Sequence, residues 1–149
     1  MFLGELTADV TIRDAKLEDA DELARLEKDI NGVFRPEYWL EELGRYSYPP
    51  VCLCAVQGAG LVGLVLGHIR MGEFGFEEDA GWLINIGVAE AVRGQGIGRR
   101  LVAAALERFR SLGVRRVYSI SEDERLLGFM QKSGFSPARR LETLEIQVS

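Results

Sequence analysis

Three glycines and three arginines lie together at residues 93–100, in the segment Arg-Gly-Gln-Gly-Ile-Gly-Arg-Arg. A helix is predicted directly behind the glycines, because apolar residues recur at helical spacing from Ile97 to Leu112 and Gly113 ends the pattern. The first N–H groups of a helix have no intrahelical partner, and the helix dipole adds about half a positive charge at that end. Glycines, which lack Cβ, let an anion approach these donors. The segment therefore predicts a strand–loop–helix unit with a pyrophosphate site at the start of the helix.

The spacing of the glycines separates this loop from two other kinds of phosphate loop. A nucleoside-triphosphate loop ends in Gly-Lys-Ser or Gly-Lys-Thr, whereas Gly98 is followed by two arginines. A dinucleotide loop needs a glycine at the sixth position counted from Gly94, and Arg99 stands there. What remains is the pattern Arg-x-x-Gly-x-Gly, which begins at Arg93 and follows an apolar predicted strand.

That pattern resembles the acyl-CoA pyrophosphate loop of the GNAT superfamily of N-acetyltransferases, whose form is Arg/Gln-x-x-Gly-x-Gly/Ala. Residues 83–88 are most similar to the ribosomal-protein alanine N-acetyltransferases and other N-terminal amine acetyltransferases of that superfamily. The resemblance implies that acetyl-CoA, or another short acyl-CoA, binds as cosubstrate in the wedge between two splayed strands. It implies the following cofactor-binding residues: Ile86, Gly87, Val88, Arg93, Gly94, Gln95, Gly96, Ile97, Gly98, Arg99 and Asp123.

The rest of the chain fits the same order of elements. Strands are predicted at residues 10–13, 51–56, 61–71, 82–88, 114–120 and 141–148, and helices at 17–30, 36–43, 97–112 and 124–132. The resemblance implies an α/β (α+β) fold, a GNAT-like mixed and mostly antiparallel sheet with splayed parallel central strands and about four helices. A length of 149 residues favours a single domain over residues 1–149, with its core at about 10–148.

The net charge of −5 hides a difference between the two halves of the chain. Residues 1–80 carry 7 basic and 16 acidic side chains, and residues 81–149 carry 11 basic and 7 acidic ones. The basic half suits a polyanionic cofactor and the acidic half suits a cationic amine, so nucleic acid is not an expected partner. Solvated surface charges are the alternative interpretation of this asymmetry.

The apolar segments predict a cytoplasmic protein without a membrane partner. The first residues lack a basic region and a long apolar run, and residues 51–67 read as two strands and a turn. Cys52 and Cys54 lie on the same face of one predicted strand and cannot easily bond to each other. No further ligands complete a metal site with them, so we expect buried thiols and no bound metal. The predicted strand at 141–148 could pair across a homodimer or finish the sheet of its own chain.

The catalytic side chains depart from the family pattern. The resemblance implies that a backbone N–H at Ile86 or Gly87 polarises the thioester carbonyl. The glutamate base, the asparagine and the tyrosine acid of the relatives correspond here to Tyr118, Asp123 and Met130. A thioether cannot donate a proton, so Tyr118 is the candidate acid, with a half-buried core tyrosine as the alternative. Asp123 also fits the N-cap of the following helix.

Candidate bases lie in the acidic loop before the cofactor strand. Glu73, Glu77, Glu78 and Asp79 could each accept a proton through water, and Glu78 represents them as the predicted base. A solvated loop is the alternative. The single histidine, His68, fits either a structural position in the core or a contact with the substrate.

Three interpretations follow from these features. The first is an acyl-CoA-dependent N-acetyltransferase that acts on an N-terminal α-amine or a small amine by direct attack in a ternary complex. The second is a catalytically weak module that binds acyl-CoA as a sensor or partner domain. The third is a structural domain whose glycines only form a tight turn, and it fits poorly with Arg93 and the basic second half.

Overall fold

A computed structural model of the chain describes residues 9–45, 50–72, 75 and 79–149. The strands are β1 (Val10–Asp14), β2 (Val51–Gln57), β3 (Gly60–Arg70), β4 (Ala80–Val88) and β5 (Val117–Ser119). The helices are α1 (Ala20–Asn31), α2 (Pro36–Leu43), α3 (Ile97–Ser111) and α4 (Glu124–Lys132), with short 3-10 turns at Leu17–Asp19 and Glu90–Val92. Within the described residues, none of the helices has both the length and the apolar character needed to cross a membrane.

The five strands form one sheet in the order β1-β2-β3-β4-β5. The first three pairs are antiparallel, whereas β4 and β5 are parallel because α3 carries the chain back between them. The predicted mixed, mostly antiparallel sheet with a parallel pair and about four helices is confirmed. The hairpin between β2 and β3 turns at Gly58, whose φ of 61° favours glycine.

The helices cover both faces of the sheet. Against one face, α1 and α2 bury Leu23, Ala24 and Trp39 over apolar side chains of β2 and β3. Against the other face, α3 buries a stripe at helical spacing, Ile97, Leu101, Val102, Ala105 and Phe109. Two separate apolar clusters therefore hold the sheet between the helix pairs, and both are built largely from the periodicity that the sequence predicts.

Two glycines of the sheet make room for the largest ring of α3. A Cβ on Gly67 would lie 2.7 Å from Cζ of Phe109, and a Cβ on Gly81 would lie 2.8 Å from Cδ1 of the same ring. These distances are shorter than van der Waals contact, so Phe109 reaches full burial only because neither strand carries a side chain there.

The end of the chain differs from the prediction. Strand β5 covers only Val117–Ser119, although residues 114–120 have a strand pattern. The prediction of a strand at residues 141–148 was wrong for the single chain, because residues 135–149 have no regular secondary structure. Alternating apolar residues are compatible with a strand but do not supply the neighbouring backbone that a strand requires.

Candidate functional site

The two parallel strands separate before β4 ends. Pairing with β5 involves only Gly81, Trp82 and Leu83, whereas β4 continues to Val88. The edge of β4 after Leu83 therefore faces a cleft of about 590 Å³ instead of a neighbouring strand. The cleft is lined by residues of α1, β3, β4, the glycine loop, α4 and the segment before α4: Glu27, Ile30, Asn31, Leu64, Ile84, Asn85, Ile86, Gly87, Val88, Arg93, Gly98, Ser121, Asp123, Arg125, Leu126 and Phe129.

The glycine loop turns into α3 beside this cleft. Gly94 and Gly96 have φ values of 79° and 81°, in the left-handed region that favours glycine, and Gly96 is the N-cap of the helix. No heavy atom lies within 4 Å of the position that a Cβ would take at either glycine. The first N–H groups of α3 lack intrahelical acceptors by helix geometry, so the loop offers donors next to open space. The side chain of Ile97 is buried in the core, so that residue can contribute only its backbone N–H.

The arginines of the loop have different partners. Arg93 donates from Nε to the carbonyl oxygen of Val88 at 3.0 Å and lines the cleft. Arg100 instead donates to the carbonyl oxygen of Val10 at 2.8 Å and ties α3 to β1. Arg99 is exposed. Arg125, at the start of α4, also lines the cleft, so the positive charge comes from two segments of the chain rather than from one.

A buried carboxylate closes the α1 side of the cleft. Glu27 is 2% exposed and accepts four hydrogen bonds. Its Oε1 accepts from Nε of Arg35 and Nε1 of Trp39, each at 3.1 Å. Its Oε2 accepts from Nη2 of Arg35 at 2.6 Å and from Nδ2 of Asn85 at 2.9 Å. One side chain thus joins α1, the segment before α2, α2 and β4.

These contacts decide what Glu27 can do chemically. Burial raises the pKa of Glu27, but the hydrogen bonds from Arg35, Trp39 and Asn85 outweigh burial and hold it below the ordinary value. A carboxylate that accepts four hydrogen bonds and has a lowered pKa is a poor proton acceptor. Glu27 therefore fixes Asn85 at the wall of the cleft rather than acting as a base. The sequence could have pointed to this residue, since Glu27 is the one charged residue on the apolar face of its helix.

The structure brings many of the predicted cofactor residues together. Six of them line the cleft: Ile86, Gly87, Val88, Arg93, Gly98 and Asp123. The exposed residues Gly94, Gln95, Gly96 and Arg99 lie in the adjoining loop and first helical turn. Asp123 also accepts a hydrogen bond from the backbone N–H of Arg125 at 2.9 Å, which confirms that it caps α4. Sequence reasoning missed the residues contributed by α1 and α4.

The predicted catalytic side chains are not gathered in this cleft. Tyr118 is half-buried and stacks against Trp82, with ring centroids 5.1 Å apart. It lines a neighbouring cavity beside β5 instead. Met130 is buried in the core, where it has no proton to give. Glu78, Glu73 and Glu77 lie outside the described residues. Asp79, directly before β4, is exposed and does not line the cleft.

The histidine and the two cysteines are core residues. His68 is buried, and its Nε2 contacts the carboxylate of Glu42 on α2. Cys52 and Cys54 are free and buried. Burial raises the pKa of both thiols, that of Cys54 to about 11. In the part of the chain that the structure describes, no group of three or more His, Cys, Asp or Glu residues is arranged to hold a metal ion.

Comparison with known proteins identifies the family. The model of the acetyltransferase (GNAT) family matches residues 20–135, so the chain belongs to that family. A search of functionally curated proteins finds no match.

Solved structures share the fold at low sequence identity. The aminoglycoside N-acetyltransferase AAC(6')-Iy in complex with CoA is 18% identical with a TM-score of 0.79, over 93% of this chain and 95% of that one. The aminoglycoside acetyltransferase meta-AAC0020, from an uncultured soil metagenomic sample and in complex with sisomicin, is 15% identical with a TM-score of 0.76, over 97% and 99%. A ribosomal-protein-alanine N-acetyltransferase from Brucella melitensis biovar Abortus 2308 is 20% identical with a TM-score of 0.71, over 93% and 99%.

Proposed function

We propose that this protein transfers the acetyl group of acetyl-CoA to a primary amine, either an N-terminal α-amine or a small amine, by direct attack in a ternary complex. The observation that carries the proposal is the cleft along the unpaired edge of β4, which leads to the glycine loop at the start of α3. An open strand edge can pair with an amide-containing arm, and a helix N-terminus can hold phosphates. Both features match parts of one acyl-CoA molecule.

Different residues of the cleft would bind different parts of the acyl-CoA molecule. The N–H groups at the start of α3 and the side chains of Arg93 and Arg125 would hold the pyrophosphate, and backbone groups of Ile86, Gly87 and Val88 would pair with the pantetheine arm. A backbone N–H at Ile86 would polarise the thioester carbonyl. The neutral amine then attacks the carbonyl carbon, the C–S bond breaks, the thiolate leaves, and the new amide loses the extra proton of the amine.

The acidic side chains that line the cleft are held by other groups and are poorly placed to act as a general base, which favours an amine substrate of low pKa. Glu27 is held by four donors and Asp123 caps α4, so both are engaged elsewhere. At pH 7.5, roughly a third of an α-amine with pKa about 7.8 is neutral, against roughly 0.1% of a lysine side chain with pKa 10.4. A substrate that is already neutral needs little help from a base. Water-mediated transfer to Glu78, and protonation of the leaving thiolate by Tyr118, remain predictions.

Binding of the cofactor is tested by a matched pair of glycine variants. Gly96 and Gly113 lie at opposite ends of α3 with φ values of 81° and 84°, and neither has a heavy atom within 4 Å of its Cβ position. Gly96→Glu and Gly113→Glu therefore carry the same backbone strain, about 1–2 kcal/mol. In calorimetric titration with acetyl-CoA, Gly96→Glu should weaken binding at least ~10-fold. The new carboxylate would lie at the N-terminus of α3, where it would compete with the pyrophosphate and repel it. Gly113→Glu should bind as the wild type does, and equal binding by both variants would contradict the site.

Turnover is tested by release of free thiol from acetyl-CoA with a panel of amines. α-Amines of short peptides and small amines of low pKa should react faster than lysine side chains, and the rate at low amine concentration should rise with pH along the titration of the amine. Lysine side chains that outpace all other amines would contradict the substrate class. In the same assay, a loss of about 10²-fold or more in Tyr118→Phe would assign it the acid role.

A catalytically weak acyl-CoA-binding module is the second candidate. It is favoured by Met130, which is buried in the core at the position of the family's tyrosine acid. This candidate predicts tight binding of acetyl-CoA that Gly96→Glu weakens, together with no thiol release that depends on any amine. The thiol that forms from the leaving thiolate has a pKa of about 8.5, so solvent can supply its proton. For that reason we prefer the acetyltransferase to the weak binding module.

A further inference from the structure

The side-chain amide of Asn85 lines the cleft in an orientation that its neighbours fix. One atom of the amide lies 2.9 Å from Oε2 of Glu27, and a carboxylate oxygen only accepts hydrogen bonds, so that atom is Nδ2. Glu27 is itself buried and held by Arg35 and Trp39. The NH2 group of Asn85 therefore points toward α1, because turning the amide round would place two acceptor oxygens side by side.

The carbonyl oxygen of the same amide, Oδ1, is open to the cleft. Three side chains on the α1 side of the cleft carry acceptor oxygens: Glu27, Asn31 and Asn85. Both oxygens of Glu27 are engaged, and Oδ1 of Asn31 accepts from the backbone N–H of Val33 at 2.9 Å. Within the described residues, Oδ1 of Asn85 accepts no hydrogen bond and is not buried, so it is exposed in the cleft that Asn85 lines.

Strand β4 places this oxygen next to the expected position of the thioester. The backbone N–H that would polarise the thioester carbonyl belongs to Ile86, the residue after Asn85, and neighbouring Cα atoms are about 3.8 Å apart. The side chain of Asn85 lies on the face of β4 toward α1, because it contacts Glu27 there. The open edge of β4 is the proposed path of the cofactor. An amine that enters between α1 and the cofactor therefore meets Oδ1 close to the carbonyl carbon.

An amide oxygen at this position suits the attack of a neutral amine. The lone pair of the amine must point at the carbonyl carbon, and a hydrogen bond from one amine N–H to Oδ1 sets that direction. As the new C–N bond forms, the nitrogen becomes positively charged. The hydrogen bond then strengthens, because charged donors form stronger hydrogen bonds than neutral ones. An amide does not take up the extra proton of the amine, which still leaves to water.

We propose that Asn85 is a substrate-binding residue whose Oδ1 accepts a hydrogen bond from the attacking amine, and that Glu27 is a positioning residue that holds the amide in the required orientation. This inference rests on the proposed acyl-transfer function and adds the group that binds the amine. It assigns the α1 side of the cleft to the amine, whereas the edge of β4 and the glycine loop belong to the acyl-CoA.

The variant Asn85→Ala removes the acceptor, and thiol release from acetyl-CoA measures the effect. With alanine amide, or with any amine of the panel that reacts faster, kcat/KM for the amine should fall at least ~10-fold, as expected for a lost hydrogen bond to a group that becomes charged. The dissociation constant of acetyl-CoA in calorimetry should stay that of the wild type. Gly81→Ala is the control for lost stability, because its methyl group meets Phe109 on the other face of the sheet, and it should keep the wild-type kcat/KM.

Nuclear magnetic resonance with isotope-labelled asparagine tests the contact without turnover. Asn31 and Asn85 are the two asparagines of the chain, so two side-chain NH2 signals are expected, and Asn85→Ala identifies which signal is lost. Addition of the same amine to protein saturated with CoA should shift the Asn85 signal more than that of Asn31, whose Oδ1 already accepts a hydrogen bond. Glu27→Gln should shift the Asn85 signal before any amine is added, because it replaces the carboxylate that holds the amide.

The outcomes separate this inference from the proposed function. If the wild type releases thiol and Asn85→Ala does so with equal kcat/KM, the role of Asn85 is overturned while the acetyltransferase stands. Weaker binding of acetyl-CoA by Asn85→Ala, an Asn85 signal that the amine leaves unmoved, or equal losses in Asn85→Ala and Gly81→Ala would also overturn it. A wild type that binds acetyl-CoA and releases no thiol with any amine would overturn the proposed function, and this inference with it.

Discussion

Replacing Glu27 by glutamine tests whether the buried carboxylate holds the α1 side of the cleft together. Glutamine has the shape of glutamate but keeps only one acceptor oxygen. Whichever way the amide is turned, its NH2 group faces two donors, one of which belongs to Arg35. A hydrogen bond to a charged group contributes about 1.5–3 kcal/mol, so two lost bonds correspond to about 3–6 kcal/mol. The Arg35 side chain is 40% exposed and can be partly solvated, which reduces the expected loss to about 2–4 kcal/mol.

Urea unfolding of the wild type and Glu27→Gln at pH 7 measures this loss as a lower midpoint with an unchanged slope. Glu107→Gln is the matched control, because Glu107 pairs with Arg110 on the exposed surface of α3 and should change stability by less than about 0.5 kcal/mol. A Glu27→Gln variant within about 0.5 kcal/mol of the wild type would refute the reasoning, since no buried ion pair of this kind could be lost at so small a cost.

The pH dependence of the same difference provides a second check. The folded state lowers the pKa of Glu27 from its ordinary value of 4.5. Ionised Glu27 therefore contributes stability that is fully present above pH 4.5 and is lost as the pH falls through the lower pKa of the folded state. The difference between the wild type and Glu27→Gln should accordingly narrow below pH 4.5. A difference that widens on acidification would show that the folded state does not favour the carboxylate.

Three further predictions concern packing, capping and thiol reactivity. Gly81→Ala should cost about 1–3 kcal/mol because its methyl group meets the Phe109 ring, whereas Gly128→Ala, inside α4 with open space around it, should gain about 0.5–1 kcal/mol; urea unfolding measures both. Asp123→Asn should leave stability within about 0.5 kcal/mol, because asparagine caps a helix equally well, and should not weaken acetyl-CoA binding in calorimetry, because it removes a negative charge from the cleft. The two buried cysteines should react with a thiol reagent at pH 8 at least ~100-fold more slowly in the folded than in the unfolded protein, and fast labelling of the folded protein would contradict their raised pKa values.

The sequence predicted those parts of the fold that depend on local periodicity. Helix α3 follows from its apolar stripe and the flanking glycines, and β4 follows from an unbroken apolar run. The boundaries of β5 could not be predicted from residues 114–120 alone, because a strand extends only as far as it pairs with a neighbour, and β5 pairs only with Gly81, Trp82 and Leu83 of β4. The same reason explains why residues 141–148 do not form the predicted strand: alternating apolar residues are compatible with a strand but do not supply the neighbouring backbone that it requires.

The parts of the site that are contiguous in sequence could be predicted, whereas those that meet only in the folded chain could not. The glycine loop is contiguous in the chain, so its geometry could be inferred from residues 93–100. Glu27 meets Asn85 across 58 positions of sequence, and its charge on an apolar helix face marked it as unusual without naming a partner. The sequence does not determine which side of β5 Tyr118 faces, whereas the structure shows that it stacks on Trp82 and lines the cavity beside β5.

Strand β4 couples the two halves of the site. Its open edge is the predicted path of the cofactor, while its face toward α1 carries Asn85, which donates to Glu27. A Cβ on Gly87 would lie 2.8 Å from Cδ1 of Ile30, so α1 packs directly on the same stretch of strand. The contacts with α1 and the predicted cofactor edge therefore belong to the same residues, 85–87. Because the hydrogen bond from Asn85 to Glu27 and the contact of Ile30 with Gly87 both hold α1 against that stretch, a displacement of α1 should also displace the open edge of β4.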